Sequence, residues 1–273
     1  MPASSPTEHA YAFDRDTMLT DAPNGQPGNW QGHVDPNWNI AANPNGGYLA
    51  GIAMSALRRL TPSQPDPLTV TTHYLRPGSA GQDCTVQTEI IRPGRSLSTV
   101  RADFHQDGKQ RLTMLASMGD LAAPSEPMLT VPAPDIPPPE HCVERSGEIQ
   151  GLDLKILNRL DIRLNPAHAK SGGGDAVVSG WVRFRDGREP DTHACLLFAD
   201  AFPPAIFGKL GTVGWVPTIE LTVHIRRRPN AGWMQTCFRT TDLSGGRLIE
   251  DGMLWDADGN LVAQSRQLAL LLS

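Results

Sequence analysis

Two stretches of the chain share one pattern. From Arg92 to Gly108 the sequence is Arg-Pro-Gly-Arg-Ser-Leu-Ser-Thr-Val-Arg-Ala-Asp-Phe-His-Gln-Asp-Gly, and from Leu243 to Gly259 it is Leu-Ser-Gly-Gly-Arg-Leu-Ile-Glu-Asp-Gly-Met-Leu-Trp-Asp-Ala-Asp-Gly. A strand-like run that ends in Arg-Pro precedes each stretch, at Arg76-Pro77 and Arg228-Pro229, and the copies stay 151 or 152 residues apart. A period this long predicts the duplication of a domain-sized unit. Polar chemistry that only one copy carries would then locate a site at the interface between the copies.

The pattern of each copy predicts one helix followed by an antiparallel meander. In the first copy, the turn signal at residues 43–47 precedes an apolar stripe from Leu49 to Leu60, which Thr61-Pro62 ends. Strands are predicted at 68–75, 84–91, 97–104 and 111–118, with a hairpin turn at Gln106-Asp-Gly108. In the second copy, strands are predicted at 152–164 and 176–184, followed by a helix over 192–202 that Pro203-Pro204 ends. Four more strands are predicted at 218–226, 233–240, 248–255 and 261–271.

These patterns divide the chain into four parts. Residues 1–30 are a polar lead-in, 31–120 form the first unit, 121–150 are a proline-rich linker, and 151–273 form the second unit. A helix stripe can be buried against one face of an antiparallel sheet, so each unit is expected to belong to the α+β class.

Composition excludes several functions. A formal net charge of −5 gives no electrostatic case for nucleic acid binding. The chain shows no secretory signal pattern and no apolar run long enough for a membrane span. The four cysteines, Cys84, Cys142, Cys195 and Cys237, lack metal-ligand or redox-motif spacing. We therefore expect a cytoplasmic protein with no cofactor and no metal.

Five short motifs resemble the acyl-CoA thioesterase II family and its thioesterase-like relatives, and the likeness covers roughly residues 30 to 273. In chain order the motifs are Asn45-Gly-Gly-Tyr-Leu-Ala50, His73-Tyr-Leu-Arg-Pro-Gly78, Leu197-Phe-Ala-Asp200, Pro217-Thr-Ile-Glu220 and Val262-Ala-Gln-Ser-Arg-Gln267. The resemblance implies a double hot-dog fold, in which two tandem units each wrap an antiparallel sheet around a long helix. It also implies hydrolysis of an acyl-CoA substrate.

The resemblance further implies that Asp200, Thr218 and Gln267 form a triad that activates water. Shifting Asp200 and Gln267 back by the repeat gives Tyr48 and Ala116, so the first copy is expected to lack this polar set. Two rivals stay open, since Thr222 lies four residues after Thr218 and Gln264 lies three residues before Gln267. Leu221 departs from the histidine that some family members have there.

Thioester hydrolysis also needs donors for the oxyanion that forms. A Gly-Gly turn at a helix N-terminus offers backbone N–H groups, and the helix dipole assists. We therefore take Gly46 and Gly47, with Tyr48, as oxyanion or substrate-binding candidates. Two turn glycines are an equally good interpretation of this pair. We interpret His73 as structural.

Two other functions remain open on this fold. An acyl-CoA hydratase or dehydratase would need an Asp and a His, and the segment His33-Val-Asp-Pro36 is only faintly similar to such a motif. A non-catalytic acyl-chain binder is the other alternative, because fold alone does not prove activity. Exposed sheet edges on each unit make a homo-oligomer, a dimer or tetramer, plausible.

Overall fold

The computed structural model describes residues 11–22, 25–123, 127–212 and 214–272. Five α-helices occur in this part of the chain, which are α1 (Ala12–Asp16), α2 (Gly46–Leu60), α3 (Gly147–Gln150), α4 (Ala194–Phe198) and α5 (Ile206–Leu210). Short 3-10 helices span Pro36–Trp38, Pro139–His141 and Lys155–Asn158. Only α2 is long, so the architecture is set mainly by strands.

The strands of the first half are β1 (Thr20–Asp21), β2 (Asn29–His33), β3 (Asn39–Ile40), β4 (Asn43–Pro44), β5 (Asp66–Tyr74), β6 (Asp83–Arg92), β7 (Ser98–Gln106) and β8 (Lys109–Gly119). Those of the second half are β9 (Val143–Glu144), β10 (Leu160–Leu164), β11 (Val177–Phe184), β12 (Thr218–Ile225), β13 (Met234–Ser244), β14 (Arg247–Trp255) and β15 (Leu261–Leu270). The sequence predicted nine of these strands, β5 to β8 and β11 to β15, each to within four residues at either end.

In the described part of the chain, thirteen strands form one antiparallel sheet in which the two halves have mirrored orders. The order runs β2-β6-β7-β8-β5 in the first half and then β12-β15-β14-β13-β11 in the second. The halves join where β5 pairs with β12, with Thr71 opposite Thr222. The hydroxyl oxygens of these two threonines lie 2.9 Å apart. The sheet order is thus the structural form of the sequence repeat, and it gives the double hot-dog arrangement.

Helix α2 packs against the strands of the first half and against α4 of the second half. Its start is fixed by Asn45, whose side-chain Oδ1 accepts a hydrogen bond from the Tyr48 N–H at 2.9 Å. Its end lies at Thr61, whose N–H and hydroxyl both donate to the Leu57 carbonyl, and Pro62 follows. Between these ends the apolar stripe is buried in the core, as the periodicity predicted.

Three expectations differ from the structure. The predicted strand 152–164 begins with the 3-10 helix Lys155–Asn158, because this turn lets Ile156 enter the core. The predicted helix 192–202 is shorter, and Asp200 lies just beyond α4 in a tightened turn, where its N–H bonds to the Leu197 carbonyl. The lead-in contributes α1, β1 and β2, and Phe13 of α1 is completely buried.

Among the described residues, no helix has the length and apolarity that crossing a membrane requires.

Candidate active site

A cavity of about 460 Å³ lies between the two halves. Its walls are mostly apolar and come from both halves, with Ile40, Leu49, Leu75, Phe202, Phe207, Trp215, Val216, Phe238, Leu248 and Leu270 among them. Its polar side chains include those of Asn45, Tyr74, Asp200, Thr218, Glu250 and Gln267. An apolar cavity with a few convergent polar groups is the usual form of a small-molecule site.

The carboxylate of Asp200 is held by the start of helix α2. Asp200 Oδ2 accepts a hydrogen bond from the Gly47 N–H at 2.8 Å and another from Asn45 Nδ2 at 2.9 Å. The same Asn45 amide nitrogen also donates to the Asp200 carbonyl at 2.8 Å. Both of these hydrogen bonds to the carboxylate reach Oδ2, and no described residue donates a hydrogen bond to Oδ1.

Two opposing effects set the pKa of Asp200. Burial, the larger effect, disfavours the charged form and raises the pKa, while the hydrogen bonds from Gly47 and Asn45 and the nearby dipole of the Gly46 N–H lower it. The result is a pKa of about 6 instead of 3.8. Above this pH the group is a carboxylate more basic than an ordinary aspartate, which suits a general base near neutral pH.

Thr218 and Gln267 face the same cavity from adjacent strands. Gln267 Nε2 donates a hydrogen bond to Thr218 Oγ1 over 2.5 Å. The rival residues lie elsewhere, since neither Thr222 nor Gln264 lines the cavity. The Thr222 hydroxyl bonds instead to Glu220 at 2.5 Å and lies against Thr71 where the halves join.

The predicted oxyanion candidates have different surroundings. The Gly47 N–H is bonded to Asp200, and the Tyr48 N–H is bonded to Asn45. The Tyr48 ring stacks on Trp38 in the core, and its hydroxyl donates to the Asp16 carbonyl at 2.8 Å. Of the three residues only Gly46 lines the cavity.

Several polar residues of this cavity are not among the site candidates from the sequence, and three of them bear on the site. Asn45 belongs to one of the five motifs, and its amide joins the start of α2 to Asp200. Glu250 lies opposite Gln267 in the sheet and accepts a 2.7 Å bond from the Ala205 N–H, and burial raises its pKa to about 7. Tyr74 is the third. The only sequence signal for Glu250 is an acidic residue at an inward position of a strand.

The first copy has no acid at the position that matches Asp200. The starts of α2 at Gly46 and of α4 at Ala194 lie 148 residues apart, and this offset carries Asp200 back to Ile52. The subtraction from the sequence gave Tyr48 because the strands keep the longer offset. Ile52 is buried and apolar, so the two halves differ at this position.

No histidine is among the described residues that line the cavity. His33 forms an exposed pair with Asp83, with His33 Nδ1 and Asp83 Oδ1 2.9 Å apart. His73 is exposed on β5 and also lies outside the cavity. No cluster of three or more potential metal ligands occurs in the part of the chain that the structure describes.

Comparison with known proteins adds independent findings. The family model of the acyl-CoA thioesterase N-terminal domain matches residues 34–119, and that of the C-terminal domain matches residues 139–271. An uncharacterised protein of Mycobacterium tuberculosis is 26% identical over 276 residues, which cover 90% of this chain and 93% of the relative.

Two crystal structures are similar along nearly their whole length. A candidate thioesterase II from Thermobifida fusca is 28% identical, with a TM-score of 0.85 over 96% of this chain and 98% of that one. A hot-dog protein of unknown function from Alicyclobacillus acidocaldarius is 24% identical, with a TM-score of 0.84 over the same shares, and it shows the shared fold.

The mirrored sheet, the cavity between the halves and these matches define a thioester hydrolase with a double hot-dog fold. More narrowly, the chain belongs to the acyl-CoA thioesterase family, whose two domain models together account for most of its length.

Proposed function

We propose that this protein hydrolyses an acyl-CoA thioester to a free acid and CoA, with water activated by Asp200, Thr218 and Gln267. The observation that carries the proposal is that one largely apolar cavity is lined by all three side chains, a buried carboxylate and a hydrogen-bonded Thr–Gln pair. The apolar walls suit an acyl chain.

The three side chains match the hydrogen-bonding capacity of one water molecule. Because Gln267 Nε2 donates to Thr218 Oγ1, the threonine proton is free to be donated to the water oxygen. Gln267 Oε1 and Asp200 Oδ1 can each accept one proton of that water. One lone pair of the water then remains for attack on the thioester carbonyl.

The reaction proceeds in two steps. Water oxygen bonds to the carbonyl carbon while Asp200 takes one water proton, which leaves a tetrahedral oxyanion. The oxyanion re-forms the carbonyl, the carbon–sulfur bond breaks, and the thiolate of CoA takes the proton from Asp200. For the oxyanion we propose the Gly46 N–H as the backbone donor, since Gly46 lines the cavity beside Asp200.

The chemistry needs no metal and no redox cofactor. A hydratase would need a histidine in the cavity, and none of the described lining residues is a histidine. A cytoplasmic location and assembly into a homo-oligomer, a dimer or tetramer, remain predictions.

The test is thiol release from a panel of acyl-CoA donors of graded chain length. We expect turnover by the wild type, and a fall in kcat of roughly 10- to 100-fold for Gln267→Ala, as for the loss of one group that orients the reactants. The matched control is Gln264→Ala on the same strand, which should leave kcat unchanged. Folded wild type that hydrolyses no donor would favour an acyl-chain binder, and equal effects of the two substitutions would remove Gln267 from the mechanism.

A further inference from the structure

Tyr74 is the last residue of β5 and belongs to the first half of the molecule. Its ring forms part of the cavity wall, but its hydroxyl is buried and has no hydrogen-bond partner among the described residues. A buried polar group without a partner costs free energy and is rare in native structures. The Tyr74 hydroxyl can therefore donate a hydrogen bond that no described residue accepts.

The ring lies beside the base. A Cβ atom placed on Gly46 would be 3.0 Å from Asp200 Oδ2, 3.1 Å from Tyr74 Cε1 and 3.2 Å from Tyr74 Cζ. The Asp200 carboxylate, the Tyr74 ring and the Gly46 backbone thus meet at one point of the cavity wall. An attacking water held by Asp200 would place the thioester carbonyl within the neighbourhood of all three.

The oxyanion needs donors at this point, and most of the expected ones are occupied. The N–H groups of Gly47 and Tyr48 already bond to Asp200 and Asn45. We propose that the Tyr74 hydroxyl donates a hydrogen bond to the thioester carbonyl oxygen and stabilises the oxyanion together with the Gly46 N–H. This assignment rests on the proposed thioesterase function and makes Tyr74 a catalytic residue.

The surroundings keep the Tyr74 hydroxyl protonated. Burial raises the pKa of Tyr74 well above its ordinary value, and the negative charges of Asp200 and Glu220 raise it further. A phenol that does not ionise can only donate its proton to the oxyanion as a hydrogen bond.

The experiment compares wild type, Tyr74→Phe and Tyr11→Phe, the last being a control on a partly exposed tyrosine outside the cavity. We expect kcat of Tyr74→Phe to fall about 10²-fold, the effect of removing one oxyanion donor, with KM unchanged. Its melting temperature should equal or exceed that of the wild type, because the lost hydroxyl has no partner in the described protein. Tyr11→Phe should behave as wild type.

A second measurement does not depend on turnover. The probe is a ketone analogue of acyl-CoA, in which a methylene group replaces the thioester sulfur and the carbonyl carries ¹³C. Its carbonyl infrared band should lie at lower frequency in the wild type than in Tyr74→Phe, because a hydrogen bond polarises the carbonyl.

The outcomes separate the two proposals. Equal bands in wild type and Tyr74→Phe, or an unchanged kcat in an active enzyme, would overturn the role of Tyr74 while leaving the thioesterase function intact. A Tyr74-dependent band in a protein that hydrolyses no acyl-CoA would support the hydrogen bond and refute the proposed function.

Discussion

Asp200→Asn should inactivate the protein and stabilise it at the same time. The substitution removes the proposed base, but it can keep the local hydrogen bonds, because Gly47 N–H and Asn45 Nδ2 both donate to the same oxygen, Oδ2. The asparagine oxygen can take this position, with its amino group in the place of Oδ1. We therefore expect a folded variant in which only the charge is lost.

The magnitude follows from the pKa of Asp200, which is about 6 in the folded protein instead of 3.8. Because the folded state holds this proton more tightly than the unfolded chain, the free energy of unfolding falls as pH rises from about 4 to about 6. Two pKa units correspond to at most about 3 kcal/mol. Asp200→Asn lacks this loss, so it should exceed the wild type by up to this amount at pH 8 and match it near pH 4.

The assay is urea unfolding of both proteins at a series of pH values, together with kcat for acyl-CoA hydrolysis. We expect kcat to fall by about 10²- to 10⁴-fold, the range for loss of a general base. Asp66→Asn is the matched control. Burial raises the pKa of Asp66, but hydrogen bonds from Arg228, the Leu121 N–H and Thr192 outweigh this and lower it.

The control should therefore show the opposite sign. Asp66→Asn should be less stable than wild type at neutral pH, with a difference that closes as Asp66 is protonated in acid. If Asp200→Asn is also less stable than the wild type at pH 8, or if its stability difference does not change with pH, then ionisation of Asp200 does not lower the free energy of unfolding. Full activity in this variant would refute its role as the base.

Two more predictions follow from the same charges. As pH rises, kcat/KM should increase while Asp200 loses its proton and should level off above an apparent pKa of about 6. Asp200→Asn should abolish this increase, and a wild-type profile that stays flat through pH 6 would contradict the role of Asp200 as the base. Glu250→Gln should be more stable than the wild type at pH 8, and this difference should be smaller at pH 5, because burial raises the pKa of Glu250 to about 7. Urea unfolding at both pH values measures the difference, and an equal difference at both would count against the prediction.

The sequence predicted the fold well where one face of an element is buried. Strand β7 alternates Val100, Ala102 and Phe104 inward with polar residues outward, and the structure buries all three. The sequence also predicted the hairpin turn at Asp107-Gly108, because both residues adopt a positive φ, which favours this dipeptide. Phe13 gave no such signal, since a single aromatic in a polar segment has no period, and only the tertiary structure shows that it enters the core.

The site was less predictable than the fold. The resemblance selected Asp200, Thr218 and Gln267, and these face one cavity in the structure. Tyr74 and Glu250 could not be selected, because their importance arises from burial beside Asp200 and Gln267, which are distant in sequence. The sequence leaves two interpretations of the Gly46-Gly47 turn open, free N–H donors or simple turn glycines, and in the structure the Gly47 N–H donates to Asp200 across the interface.

The proposed base, Asp200, depends on contacts from both halves of the molecule. A Cβ atom on Gly47 would lie 2.7 Å from the Leu196 carbonyl oxygen and 3.0 Å from Asp200 Cβ, so only glycine lets α2 approach α4 this closely. The same approach brings the Gly47 N–H within 2.8 Å of the carboxylate. Burial at this contact raises the pKa of Asp200 and the donated bonds lower it. A substitution that separates the helices would therefore weaken packing and change the pKa of the base together, although it touches no other member of the proposed triad.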